Sequence, residues 1–368
     1  MKIGILTLPL HTNYGGILQA YALKTYLDSI GHEVWLINNR FSNETAITHI
    51  KEIAKILLRK KELENQNRIM HEISKCKIDA FVSKHFYNNT FIIKSPKDFK
   101  FLDNLNFNAY IVGSDQVWRK SYVKKNIDSY YLKFANGSNK ILLSYAASFG
   151  IDKWNFSSKE ENRIRLLIQG FNAVSVREGI GKEFCKSIFN IDAEQLVDPT
   201  LLLSSDHYYK LFSPINDINA YAKDKLAYYI LDSSPSKKGI INNISNYFNL
   251  DTISIGKIGQ DGVFPSIEEW LAGFHSARFI VTDSFHGCVF SILFNKPFVA
   301  IANSRRGINR FTSLLSIFGL LNRLVVEEAD NDTIDDILST SIDWDFINSK
   351  IKSEVLRSNQ FLIQNLKK

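Results

Sequence analysis

Phe279-Ile280-Val281-Thr282-Asp283-Ser284-Phe285-His286-Gly287, with the apolar run Cys288–Phe294 after it, decides the fold. Phe279–Val281 reads as a buried strand, Thr282–Gly287 as a polar turn, and Cys288–Phe294 as an apolar segment beyond it. The chain opens the same way. Ile3–Pro9 reads as a strand, His11-Thr12-Asn13-Tyr14-Gly15-Gly16 as a turn, and Ile17–Ile30 as a helix. In an open α/β sheet, ligands bind beyond the carboxyl ends of strands. One such turn in each half predicts a cleft between two α/β domains.

Working outward, strands and helices alternate, which argues for parallel sheets with right-handed crossovers. Strands are expected at Glu33–Asn38, Ala109–Val112, Lys140–Ser144 and Ala173–Val176 in the first half. In the second half they are expected at Leu226–Leu231, Thr252–Ile255 and Phe298–Ile301. Helices are expected at Lys159–Gln169, Lys237–Phe248, Ser266–Ser276, Ile308–Phe318 and Trp344–Leu366. The division expected is an N-terminal Rossmann-like domain over 1–203, a C-terminal one over 204–340, and a helix over 341–368 that packs back across both. Residues 46–86 read as helical. Ile47, Ile50, Ile53, Ala54, Leu57 and Leu58 form an apolar stripe flanked by Lys51, Lys55, Arg59, Lys60 and Lys61. Over 47–61 the first reading is a solvated helix on the N-terminal half, and the other is a peripheral membrane contact.

The chain has 368 residues, 45% hydrophobic and 23% charged, ordinary values for globular domains. The longest apolar run, Cys288–Ala302, is broken by Asn295, Lys296 and Pro297. It falls short of the about 18 residues a membrane-crossing helix needs. The start is too short an apolar run for a signal peptide. Cys76, Cys185 and Cys288 lack metal or disulfide spacing, which fits a reducing cytoplasm. A net charge of +7 favours an anionic small molecule or an acceptor near anionic lipid. No zinc-finger spacing, RNP-like motif or long basic run points to nucleic acid. HExxH, DxD and Cys/His clusters are missing, so metal catalysis is not indicated; Walker A, GxGxxG and GxSxG are missing too.

Five constellations carry candidate chemistry, each with a structural alternative. Gly15-Gly16 permits close backbone approach at a helix N-terminus suited to an anion, or is simply a tight turn. Asp115, in Gly113-Ser114-Asp115-Gln116-Val117-Trp118, reads as a sugar-orienting carboxylate, a general base or a helix N-cap. Arg177 reads as an anion ligand, or as a surface residue paired to Glu178 or Glu183. His286, among Asp283, Ser284 and Gly287, reads as a proton-exchanging group or a helix cap. Arg305, Arg306 and Arg310 beside Gly307 read as an anion clamp or a solvated basic loop.

Together these pieces resemble the polysaccharide pyruvyl transferase family. The matching segments are Asn13–Tyr21, Val112–Trp118, Ser175–Glu178, Val197–Thr200 and Asp283–Gly287, in the family's order from about residue 3 to about residue 320. The resemblance implies a fold like that of GT-B glycosyltransferases, two Rossmann-like domains facing across a cleft. It implies phosphoenolpyruvate as donor substrate, no cofactor, and a glycan or lipid-linked glycan acceptor that receives a pyruvate ketal on two hydroxyls. A cytoplasmic place, with peripheral contact at the inner membrane face, is the matching location. His286 and Asp115 are the catalytic candidates. Asn13, Tyr14, Gly15, Gly16, Ser114, Arg177, Asp283, Ser284, Gly287, Arg305, Arg306 and Arg310 are the substrate-binding ones. In the family pattern an Arg stands two positions before the motif His. Here that position is Ser284, so Arg305, Arg306 or Arg310 is expected to supply the charge. Two other readings stand beside this one: a GT-B glycosyltransferase using a nucleotide sugar, and a non-catalytic glycan-assembly protein.

Overall fold

The computed structural model describes residues 1–40, 70, 72–303 and 306–367. The basic stretch 47–61 and Arg305 lie outside the described residues. Six parallel strands form the first sheet. They are β1 (Lys2–Leu6), β2 (Glu33–Leu36), β3 (Ala109–Asp115), β4 (Ile141–Ala147), β5 (Ala173–Val176) and β6 (Glu194–Gln195). Five more form the second: β7 (Leu226–Tyr229), β8 (Thr252–Ser254), β9 (Phe279–Thr282), β10 (Phe298–Ile301) and β11 (Leu324–Val325). Strands buried on both faces carry unbroken apolar runs, and all of β3 is buried.

The strand orders are β2-β1-β3-β4-β5-β6 and β11-β10-β9-β7-β8. Read from β8, the second sheet repeats the order of the first five positions of the first sheet. Each order reverses beside its opening strand, between β1 and β3 and between β7 and β9. At such a reversal the flanking loops diverge and leave a crevice at the carboxyl ends. In register, Leu6 faces Val112 and Tyr229 faces Thr282, so both crevices open just past these pairs.

The helix Tyr14–Ser29 joins the halves. It is buried nearly all round, as a helix enclosed in a core must be. Tyr14 stacks on Trp270 with centroids 5.5 Å apart and donates its hydroxyl to Pro265 O at 2.7 Å. Ile17 and Leu18 share one apolar core with Phe274, Phe290 and Phe311 of the second half. The final helix, Trp344–Asn365, begins in a small cavity with Phe279 and Arg323. Further along it, Arg357 donates to Gln195 O at 2.9 Å. Among the described residues no helix is long and apolar enough to cross a membrane.

The first helix begins at Tyr14, three residues before the sequence expectation. Asn13 caps it, its Oδ1 accepting from Gly16 N at 3.1 Å, so Gly15 and Gly16 stand in the first turn rather than in a loop. Likewise Ser284 caps the helix Phe285–Leu293, which places Phe285 to Gly287 in its first turn. The helices Gly179–Phe189, Ser205–Phe212 and Asn331–Ser339 are additions to the sequence reading.

Candidate active site

The two crevices face each other and share a cavity of about 280 Å³. Asn13 reaches it from the β1 loop, and Asp115 and Gln116 from the end of β3. Leu231 enters beyond β7, Ser284 and His286 beyond β9, and Arg306 and Arg310 beyond β10. Five strand ends, three of them late in the chain, thus place polar groups in one chamber.

Asp115 has a left-handed backbone, φ 62°, which Asp tolerates better than most residues. That turn aims its carboxylate back across the sheet. Asn13 Nδ2 stands 3.4 Å from Oδ2, and Arg177 Nη2 stands 3.5 Å from Oδ1. Asp115 is therefore not a helix cap.

Behind the cavity wall lies a buried ion network. Arg177 is only 4% exposed, not a surface residue, and donates from Nη1 to Asp198 Oδ2 at 2.7 Å. Glu178 approaches its Nε no closer than 4.0 Å. The Phe285 ring centroid lies 4.2 Å from the guanidinium carbon. Arg177 does not line the cavity, and its charge is met by carboxylates of the protein. Asp198 was not singled out from the sequence beyond its place in Val197–Thr200. Its Oδ1 accepts from Thr200 N and Oγ1, at 3.1 and 2.8 Å. Ser114 Oγ lies 3.1 Å from Oδ2, with Ala146 O at 3.0 Å competing for the same proton. Burial alone would raise the Asp198 carboxyl, but His286 and Arg177 outweigh it and hold the group well below the usual carboxylate range.

His286 is 6% exposed, and its Nε2 stands 3.5 Å from Asp198 Oδ2 without hydrogen-bond geometry. Its other face meets the backbone of Gly15. A Cβ on Gly15 would overlap Nδ1 and Cγ of the ring and stand 2.7 Å from the His286 Cβ. This contact accounts for Gly15 in a helix, where glycine costs about 1 kcal/mol relative to alanine. Gly287 serves a similar end, since a Cβ there would overlap Thr282 Oγ1.

Asp283 is occupied elsewhere. It accepts from Leu231 N at 2.6 Å, Asp232 N at 3.1 Å, Lys237 Nζ at 2.8 Å and Asn303 Nδ2 at 3.1 Å. It ties the β7 loop to β9 and does not line the cavity. Ser284 donates its N–H to Thr282 Oγ1, and its hydroxyl oxygen accepts from Gly287 N.

The two described arginines of the basic loop differ. Arg306 forks onto Asp232, from Nε at 2.6 Å and Nη2 at 3.2 Å, and this contact holds the Asp232 carboxyl down at about 2. Arg310 is 5% exposed and donates Nε and Nη2 to Arg306 O at 3.0 and 2.6 Å. Among the described residues it forms no ion pair. Burial, and then the charge of Arg177, bring it down to about 10, so it stays cationic at neutral pH. A buried cation without a carboxylate partner is costly and is relieved by a bound anion. The chamber thus combines an anion-seeking arginine, an imidazole and a carboxylate, a set suited to an anionic substrate and proton transfer.

The family model "Polysaccharide pyruvyl transferase" matches residues 13–305. A search of curated proteins finds no significant match. Solved structures share the fold. Neisseria meningitidis UDP-GlcNAc 2-epimerase bound to UDP-GlcNAc superposes with a TM-score of 0.56 at 9% identity, over 100% of this chain and 99% of that one. Methanocaldococcus jannaschii UDP-GlcNAc 2-epimerase in complex with UDP-GlcNAc and UDP gives 0.56 at 12% identity, over 98% and 100%. Arabidopsis thaliana UGT89C1 complexed with UDP-L-rhamnose gives 0.51 at 9% identity, over 99% of each. The architecture is that of GT-B-type enzymes.

Proposed function

The chain belongs to the polysaccharide pyruvyl transferase family, and from that premise we propose that it moves the enolpyruvyl group of phosphoenolpyruvate onto two hydroxyls of a glycan sugar. The product is a pyruvate ketal, and phosphate is released. The observation that carries this reading is Arg310, a buried cation without an ion pair among the described residues, in the same cavity as His286 and Asp115.

Phosphoenolpyruvate carries a carboxylate and a phosphate. Arg310 takes one of them, and Arg306, at the cavity rim with its charge shared by Asp232, lies within the same chamber for the other. His286 delivers a proton to the enol methylene or to the phosphate. Protonation of the methylene leaves an oxocarbenium-like centre at the neighbouring carbon. A sugar hydroxyl attacks that carbon and gives its proton to Asp115. The carbon–oxygen bond to phosphate then breaks, and the second hydroxyl closes the ketal as the phosphate carries a proton away. Asp198 positions His286 and Arg177 without touching substrate.

Asp115→Asn tests the assignment of the base. Asparagine accepts the left-handed backbone and the same volume, so the fold is expected to hold. Ketal formation, read as acid-labile pyruvate on the surface glycan of cells whose sole copy is the variant, is expected to fall by about 10²–10⁴-fold. Phosphoenolpyruvate affinity of the purified variant is expected to be retained, since asparagine cannot act as base while the arginines assigned to the donor anion stay in place. Unchanged pyruvate content would remove Asp115 from this role.

A further inference from the structure

Tyr122 lines the reaction chamber beside Arg306 and Arg310, although it comes from the other half of the chain, and the proposed reaction gives it no task. It stands on the short helix Lys120–Val123, just beyond the turn at Asp115 that ends β3. Lys120 fastens that helix to Glu160 at 2.7 Å, and Val123 is buried beneath it.

The ring has a built seat. Arg119 lies over it, with the guanidinium carbon 4.7 Å from the ring centroid. Arg119 is itself held, donating from Nη1 to Gln116 Oε1 at 2.6 Å and from Nε to Ser121 Oγ at 3.2 Å. Gln116 packs on Gly150, where φ is 61° and a Cβ would overlap Gln116 Oε1. The arginine loop rests on the same segment. Asn309 donates from its N and Nδ2 to Asp152 Oδ1, at 3.2 and 2.8 Å, and a Cβ on Gly307 would stand 3.0 Å from Gly150 O. Residues 150–152 of the first half thus support both the Tyr122 seat and the loop that carries Arg306 and Arg310.

The Tyr122 hydroxyl forms no hydrogen bond with the described residues, and the residue is 41% exposed. The phenol lies close enough to act on the charge of both Arg306 and Arg310. Those arginines have few donors left. Arg306 spends Nε and Nη2 on Asp232, and Arg310 spends Nε and Nη2 on Arg306 O, which leaves Nη1 of each uncommitted among the described residues. The carboxylate and phosphate of the donor present more oxygens than these groups can meet. A phenol hydroxyl adds a donor without adding charge, and a hydrogen bond to an ionised acceptor is stronger than one between neutral groups. Resting on the reading of the reaction chamber above, we propose that Tyr122 is a substrate-binding residue whose hydroxyl donates to the anion held by Arg306 and Arg310. Phosphoenolpyruvate is then gripped from both halves of the chain.

The test is calorimetric titration of phosphoenolpyruvate into the full chain as wild type, Tyr122→Phe and Tyr122→Ala, with the thermal midpoint of each protein measured beside it. Phenylalanine keeps the ring under Arg119 and removes only the hydroxyl. Its affinity for phosphoenolpyruvate is expected to fall by about tenfold or more, the contribution of a hydrogen bond to a charged group. Its thermal midpoint is expected to match that of the wild type, since the hydroxyl bonds to nothing in the fold. Tyr122→Ala is expected to lose at least as much affinity. The proposal is overturned if Tyr122→Phe binds phosphoenolpyruvate as the wild type does. It is equally overturned if affinity falls only in Tyr122→Ala, which would make the ring a wall and nothing more, or if the loss in Tyr122→Phe comes with a lowered thermal midpoint. Failure of the wild type itself to bind phosphoenolpyruvate would instead defeat the reading of the reaction chamber, and this inference with it.

Discussion

Replacing His286 with asparagine is expected to lower turnover by about 10²–10⁴-fold, the contribution of a positioned proton-transfer group. The ring is held from two sides. Asp198 stands 3.5 Å from Nε2, and the Gly15 backbone closes on Nδ1. The ring lines the same chamber as Arg310 and Asp115. Asparagine fits the space at the second position of the Phe285–Leu293 helix and stays polar there, but it exchanges no proton near neutral pH. The effect should therefore appear in kcat, with the phosphoenolpyruvate Kd moving by less than about tenfold, because Arg310 still supplies the charge that holds the anion. A variant that loses affinity but keeps kcat would make His286 a phosphate ligand only. One that keeps both would place the chemistry elsewhere.

Gly15→Ala is expected to be as damaging to turnover as losing His286, although Gly15 contributes no functional group. The added methyl overlaps the imidazole, and with the His286 Cβ also only 2.7 Å away, rotation about χ2 brings no relief. Either the ring leaves its place, or the Tyr14–Ser29 helix moves off the Phe285–Leu293 helix. The second route pulls Tyr14 from Trp270 and Pro265, so overpacking should also lower stability by about 1–3 kcal/mol. Gly239→Ala is the control. Nothing lies within 4 Å of a Cβ there, and alanine in that helix should be neutral or stabilising by up to about 1 kcal/mol. Denaturant unfolding and turnover of the two variants separate the cases. Wild-type turnover in Gly15→Ala would mean that the two halves do not meet in the active form as they do here.

The alternation of strands and helices was readable because parallel strands buried on both faces carry unbroken apolar runs. Ala173–Val176 and Phe298–Ile301 were placed to the residue. Two of the three helices missing from the sequence reading hid for opposite reasons. Gly179–Phe189 has glycines at its first and third positions, and Gly181 is needed there because a Cβ would press on Phe149 and Val176 at 3.3 Å. Asn331–Ser339 is acidic and buries only Ile334 and Ile337. At the site, His286, Asp115 and Arg310 could be singled out because polar residues follow apolar strands. Their partners could not. Arg177 had looked like a ligand or a surface residue, and its pairing with Asp198 and Asp115 arises from loops after three different strand ends. Asp283 sits one residue from a functional-looking turn, yet its four donors come from β7 and beyond, and from Asn303. Only the order of the strands within each sheet, which brings those loops side by side, discloses such pairings.

The most direct measurement is calorimetric titration of phosphoenolpyruvate into the wild type and into Arg310→Ala. The wild type is expected to bind saturably, one molecule per chain, with a Kd within the micromolar-to-millimolar span usual for enzyme substrates. Removing a buried, charge-bearing partner of a bound anion costs about 2–5 kcal/mol, so Arg310→Ala should weaken binding by about 30-fold or more. Equal binding by both proteins, or no saturable heat from the wild type, would contradict the account of this cavity as the donor site.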